Sequence, residues 1–180
     1  METNKPNVLV QYGLMSGVVG LLFFITLYLL GAKSFASPVA LLGYFIPIVF
    51  AVLACIKAKK NNNGFLEFPK ALRTSFGVFV ISNLINTLAL YLILNVVDED
   101  FRQALNQIAM EQTELLLKKF NSSQDTIERT LTEMAKSNQY SFGKMALGFA
   151  MYCILWFLFS LIIAAIVKKK NPQEDMPQTL

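Results

Sequence analysis

Four long apolar runs dominate this sequence, each long enough to cross a bilayer as a helix. The hydrocarbon core is about 30 Å thick and a helix rises about 1.5 Å per residue, so a crossing takes about 20 apolar residues. Backbone amides and carbonyls in lipid must be satisfied within the protein, which leaves helices or closed barrels as the spanning forms. The runs cover residues 8–30, 38–56, 74–97 and 145–167. With 54% hydrophobic residues and a mean hydropathy of +0.48, the 180-residue chain is too apolar for an ordinary soluble domain. The predicted fold is all-α: four transmembrane helices with an extramembrane helical hairpin between the third and fourth.

The connections set the organisation. Gly31 to Ser37 is short enough for a turn, so spans one and two form an antiparallel pair closed by Gly31 and Pro38. Lys57 to Gly64 is basic and then Asn-rich, a helix stop and a loop. Phe65 to Arg73 alternates apolar residues with charges, and Pro69 suits a first helical turn, which predicts a short interfacial entry to span three. These boundaries give residues 1–97 as the first three spans, 98–141 as an extracytoplasmic segment, and 142–180 as span four with a cytoplasmic tail.

The middle region loses its long apolar runs and carries eight acidic against five basic residues. Phe101, Leu105 and Ile108 mark one helical face, which Leu115 to Leu117 and Phe120 continue. Ile127, Leu131 and Met134 repeat the spacing in a second helix, predicted to start at the capping pair Asp125 and Glu128. Asp98 to Asp100 place negative charge at the positive end of the first.

Orientation follows from basic residues near span ends. Lys5, Lys57, Lys59, Lys60, Lys70, Arg73, Lys168, Lys169 and Lys170 place nine compact charges at one side. The other side has seven, dispersed among Lys33, Arg102, Lys118, Lys119, Arg129, Lys136 and Lys144. Both termini are therefore expected in the cytoplasm, with the chain in the inner membrane of a bacterium. The first run is too long for the apolar core of a signal peptide. The clusters read as topology signals, not as a nucleic-acid surface, and the net-negative middle region should not bind anionic headgroups strongly.

The chemical inventory is sparse. Histidine is absent, which removes the commonest general base and metal ligand. Cys55 and Cys153 lie in apolar runs far apart, so neither a disulfide framework nor a metal pair is suggested, and they read as small hydrophobes. No Asp, Glu or Arg lies well inside a span, whereas proton-coupled carriers and ion pathways normally use such groups. We therefore expect no enzyme activity, no cofactor, and no catalytic or metal-binding residues.

The polar residues within the spans are the remaining candidates. Ser75, Ser82 and Asn86 share nearly one face of span three, with Asn83 and Thr87 alongside. They read as interhelical hydrogen bonding, with a substrate-contacting stripe as the alternative. Gly13 and Gly17, followed by Gly20, give span one a small-residue face for close packing within the monomer or between copies in a homo-oligomer. Pro47 should kink span two, and Trp156, deep in span four, reads as a packing residue.

One order of motifs is recognisable. Gln11-Tyr12-Gly13-Leu14-Met15-Ser16-Gly17 opens span one, and Gly64-Phe65-Leu66-Glu67-Phe68-Pro69-Lys70-Ala71-Leu72-Arg73-Thr74-Ser75-Phe76 enters span three. Val97-Asp98-Glu99-Asp100-Phe101 then leads into the charged helical segment. Over nearly its whole length the chain resembles the Bacteroidota-type membrane protein family called domain of unknown function 4199. The resemblance implies a membrane protein with no known activity, no established cofactor and no catalytic residues. The expected function is a non-enzymatic accessory or scaffold protein whose partners are the lipid bilayer and a protein met by the external segment. The alternative is a small oligomeric transporter or channel using the polar face of span three.

Overall fold

The computed structural model describes residues 7–170, so the charge counted at Lys5 lies outside the described residues. These residues form seven α-helices, and four helical stretches are long and apolar enough to cross a membrane. α1 (Val8–Leu29) is span one, and a one-turn helix, α2 (Ala32–Phe35), follows it. Span two starts as a 3₁₀ helix at Pro38–Tyr44 and continues as α3 (Phe45–Asn61). Span three is α4 (Phe68–Leu92), prolonged by a π-helical turn at Ile93–Val97. α5 (Glu99–Lys119) and α6 (Gln124–Lys136) come next, and α7 (Phe142–Val167) is span four. Leu14, Leu22, Leu53, Leu88 and Leu158 are among many large apolar side chains exposed on the spans. A soluble monomer rarely leaves so much oily surface in water, whereas lipid solvates it.

Several local expectations are corrected. The Gly31–Ser37 connection is a helical turn rather than a bare one, entered through Gly31 at φ 93°, a left-handed conformation that glycine adopts without a Cβ clash. Pro47 is the third residue of α3, and the irregularity of span two lies just before it, in the 3₁₀ stretch that runs directly into α3. Span three begins at Phe68, with Glu67 extended at the cap and Pro69 in the first turn, so the interfacial entry is already helix. The start of α6 is set by Ser123, whose Oγ accepts from the Thr126 N–H at 3.3 Å, and not by Asp125 with Glu128. Leu115, Leu116 and Phe120 do not continue the buried face of α5, being 68%, 55% and 73% exposed.

Span three touches all three other spans, while spans one and four do not meet among the described residues. Small residues make this possible: Ala51, Ala54, Ala71 and Ala164 are wholly buried in a cluster with Cys55, Val78, Phe79 and Trp156. With no hydrophobic drive between helices in lipid, close contact through small side chains supplies the attraction. The two basic clusters share one end of the bundle. There Leu66 and Lys169 exchange backbone hydrogen bonds of 2.9 and 2.7 Å, and the Lys59 ammonium donates to the Val167 carbonyl at 2.9 Å. That cation sits at the negative end of α7, where the helix dipole favours it.

Candidate functional site

A cavity of about 380 Å³ lies in the half of the bundle remote from the basic clusters, a volume typical of small-molecule sites. Span one contributes Gly20 and Phe24, and the first turns of span two contribute Ala40, Tyr44 and Pro47. Span three presents Phe79, Ser82, Asn83, Asn86, Thr87 and Leu90, residues that recur at helical spacing on one face. Tyr152 and Trp156 close the fourth wall. The lining is mainly apolar and includes no Asp, Glu, Lys or Arg.

The polar stripe divides into two parts. Ser75 lies outside the cavity, buried near the basic end, and its hydroxyl donates within its own helix to Ala71 and Leu72 at 3.0 and 3.2 Å. Ser82 joins two spans: it is buried and accepts from the Ser16 hydroxyl at 3.0 Å. Asn86 donates from Nδ2 to the Ser82 carbonyl at 2.8 Å, which fixes its amide orientation and leaves Oδ1 buried without a partner. Asn83 accepts from Thr87 at 3.5 Å and leaves Nδ2 buried without a partner. Both atoms are shielded by neighbouring helices, the Asn83 side chain meeting Cys153 of span four and the Asn86 amide lying against Gly20 of span one.

Gly13, Gly17 and Gly20 pack against that same helix. A Cβ on Gly13 would come within 2.9 Å of the Ile81 Cβ, one on Gly17 within 2.5 Å of the Ile85 Cδ1, and one on Gly20 within 2.9 Å of the Asn86 Nδ2. The small-residue face thus holds span one against span three in the monomer and brings Gly20 beside the Asn86 amide.

Aromatic groups define the cavity's edges. Trp156 is buried and stacks on Phe79 with centroids 4.5 Å apart. Tyr44 stacks on Tyr152 at 5.8 Å, their hydroxyls 2.8 Å apart, and both rings are partly exposed on the side of the bundle between spans two and four. The opposite edge is a roof: Phe35, Ala36, Leu90 and Ile93 line the cavity and also pack against the buried cluster of Leu94, Phe101 and Leu105. The first turns of α5 are thereby fastened over the bundle.

That fastening is polar as well as apolar. Asp98 caps α5 by accepting from the Phe101 N–H at 2.8 Å, and its other oxygen accepts from the Tyr28 hydroxyl at 2.8 Å. These donors hold its carboxyl below the ordinary aspartate value, the Phe101 amide first and Tyr28 second, against an opposing effect of burial. Asn95, in the π turn, donates to the carbonyls of Tyr91 and Tyr140 and accepts from Arg102 at 3.1 Å. A π turn in a helix often marks a functional position; here it aims Asn95 at both neighbouring segments.

Sequence reasoning singled out Asn83 and Asn86 but not Asn95, Phe35 or the tyrosine pair. Asn95 carried a signal, since it is a third amide within span three's run. Tyr44 and Tyr152, 108 residues apart, carried none.

The fold and the apolar surface of its helices define a multi-pass membrane protein of four spans. The chain belongs to the family described as Protein of unknown function (DUF4199), which matches residues 11–169. No curated protein and no solved structure matches it.

Proposed function

We propose that this chain is a non-enzymatic accessory protein of a bacterial inner membrane, with both termini cytoplasmic and α5–α6 forming an extracytoplasmic hairpin that docks on another protein. The exposure of Leu115, Leu116 and Phe120 carries this reading, because they cluster in the last turns of α5, outside the spans. Residue contacts between α5 and α6 support the hairpin, and the chemical inventory supports a role without catalysis. The hairpin region is net negative, which disfavours anionic headgroups and favours a protein surface with its own apolar patch. A photo-crosslinking residue at Phe120, in native membranes, is expected to capture one protein reproducibly. Capture of lipid alone, or an unchanged phenotype on deleting residues 101–134, refutes the reading.

A second reading, a small oligomeric carrier or channel using span three, draws support from Asn83 and Asn86 facing the cavity. Reconstituted protein whose solute flux is unchanged when both become Leu would eliminate it.

A further inference from the structure

We propose that the basic end of the bundle is a binding surface for anionic phospholipid headgroups, whose phosphate carries no amine to neutralise it. This depends neither on what docks at α5–α6 nor on which compartment the basic end faces.

Charge without counter-charge is the defining feature of this end. Lys57 and Lys60 lie in the last turns of span two, Lys70 and Arg73 in the first turns of span three, and Lys168 and Lys169 follow span four; all six are exposed. Among the described residues one acid, Glu67, lies at this end, and no ion pair to it is formed. The segment between spans three and four differs, since Arg102, Lys118 and Arg129 pair there with Glu99, Glu114 and Glu133. Clustered cations repel one another, and a phosphate among them relieves that repulsion.

Packing brings the cations together. Leu66, at the entry to span three, and Lys169 exchange backbone hydrogen bonds, which ties two of the three cationic segments to each other. The Lys168 ammonium stands over the Phe68 ring, 5.9 Å from its centroid, and the Lys169 ammonium over Phe65 at 5.4 Å. A ring attracts a cation at that range without neutralising it. Lys59 joins the third segment to the others by donating to the Val167 carbonyl.

Depth selects the partner. Lys57 directly follows Ile56, and Lys168 lies two residues after Ile166; these isoleucines are 52% and 77% exposed on the apolar surface of their spans. The cations therefore stand where the hydrocarbon ends, at the level of lipid phosphates, with their stems free to rest against apolar surroundings. A bilayer lipid is already held at that level, whereas a partner from solution would have to displace it.

The test is native mass spectrometry of the full chain in mild detergent, titrated with phosphatidylglycerol or with phosphatidylcholine of the same acyl chains. Phosphatidylglycerol is expected to bind at least about tenfold more tightly, and Lys168→Gln with Lys169→Gln to weaken it about fivefold for each cation removed. An unchanged melting temperature of that pair reports intact folding. Lys168→Arg with Lys169→Arg should keep the preference, because the charge is kept. Lys118→Gln with Lys119→Gln, the same change of net charge placed in α5, should leave it intact. Equal binding of the two lipids overturns the proposal, as does a Gln pair that binds like wild type or an Arg pair that binds no better than the Gln pair. Displacement of the lipid by glycerol phosphate at matching concentration assigns the surface to a soluble phosphate and overturns the lipid source. A preference that emerges only after Glu174→Gln with Asp175→Asn makes the chain's own tail the occupant and overturns it as well.

Discussion

The contact between spans one and three distinguishes two glycines that look equivalent in sequence. Alanine at Gly17 would place its Cβ 2.5 Å from the Cδ1 of Ile85, the far end of a flexible side chain, with the next atoms at 3.1 and 3.3 Å. Alanine at Gly13 would meet the Ile81 Cβ at 2.9 Å, an atom fixed to the backbone. Overpacking costs about 1–3 kcal/mol, and replacing glycine by alanine in a helix returns up to about 1 kcal/mol. Gly13→Ala should therefore destabilise the bundle by about 1–2 kcal/mol net, and Gly17→Ala by less. The partners separate the two cases. Ile85→Val removes the offending Cδ1, so it should rescue Gly17→Ala to within about 0.5 kcal/mol of the Ile85→Val single variant. Ile81→Val keeps the Cβ and should rescue Gly13→Ala little. Reversible unfolding in mixed micelles, run as two double-mutant cycles, measures both couplings. A neutral Gly13→Ala, or equal rescue in the two cycles, would show that these spans do not meet at this register.

Four further outcomes follow from the geometry. Ser16→Ala and Ser82→Ala, taken through a cycle, should show a coupling of about 0.6 kcal/mol, the average for hydrogen bonds between membrane helices. Asp98→Ala should speed amide exchange in the first turn of α5 at neutral pH. Since folding lowers the Asp98 pKa, its contribution is present in full above the ordinary aspartate value of 3.8 and is lost as pH falls through the lower folded value, so wild type and Asp98→Ala should converge in strong acid. With Cys55 and Cys153 replaced by Ser, a Ser122→Cys variant should react with an impermeant maleimide on intact cells, and a Lys60→Cys variant only after permeabilisation. Leu116→Asp with Phe120→Asp should leave the melting temperature unchanged, because both side chains are exposed, while abolishing capture of the proposed partner.

The spans were legible because lipid imposes one requirement on every residue in them: backbone satisfaction within the protein, under an apolar surface. Length and hydropathy therefore located all four helices to within a few residues at most ends. Where a second force competes, the sequence was a weaker guide. Pro47 was visible as an irregularity of span two, but nothing local set the extent of the 3₁₀ stretch, Pro38–Tyr44, that precedes it. Leu115, Leu116 and Phe120 have the spacing of a buried face, yet a face is buried only where another element reaches it. The cavity was half legible: periodicity put Asn83 and Asn86 on one helix face, but no local pattern told which of their amide atoms would remain unpaired. That depends on Ser82 and Thr87 taking one partner from each.

The two ends of the bundle divide the work between rigidity and access. At the basic end, wholly buried alanines, the Leu66–Lys169 bridge and the Lys59 contact with the end of α7 bind three spans and two loops together. At the other end, one helix of the segment between spans three and four is fastened over the bundle through Phe101, Asp98 and Asn95. Anything that displaces Ile93 or Phe35 from inside the cavity therefore presses on the cluster that holds α5. The π turn between span three and α5 lies beside that cluster, with Leu94 in both. The exposed Leu115, Leu116 and Phe120 lie at the far end of α5 from that cluster, so the two ends of this one helix serve different contacts.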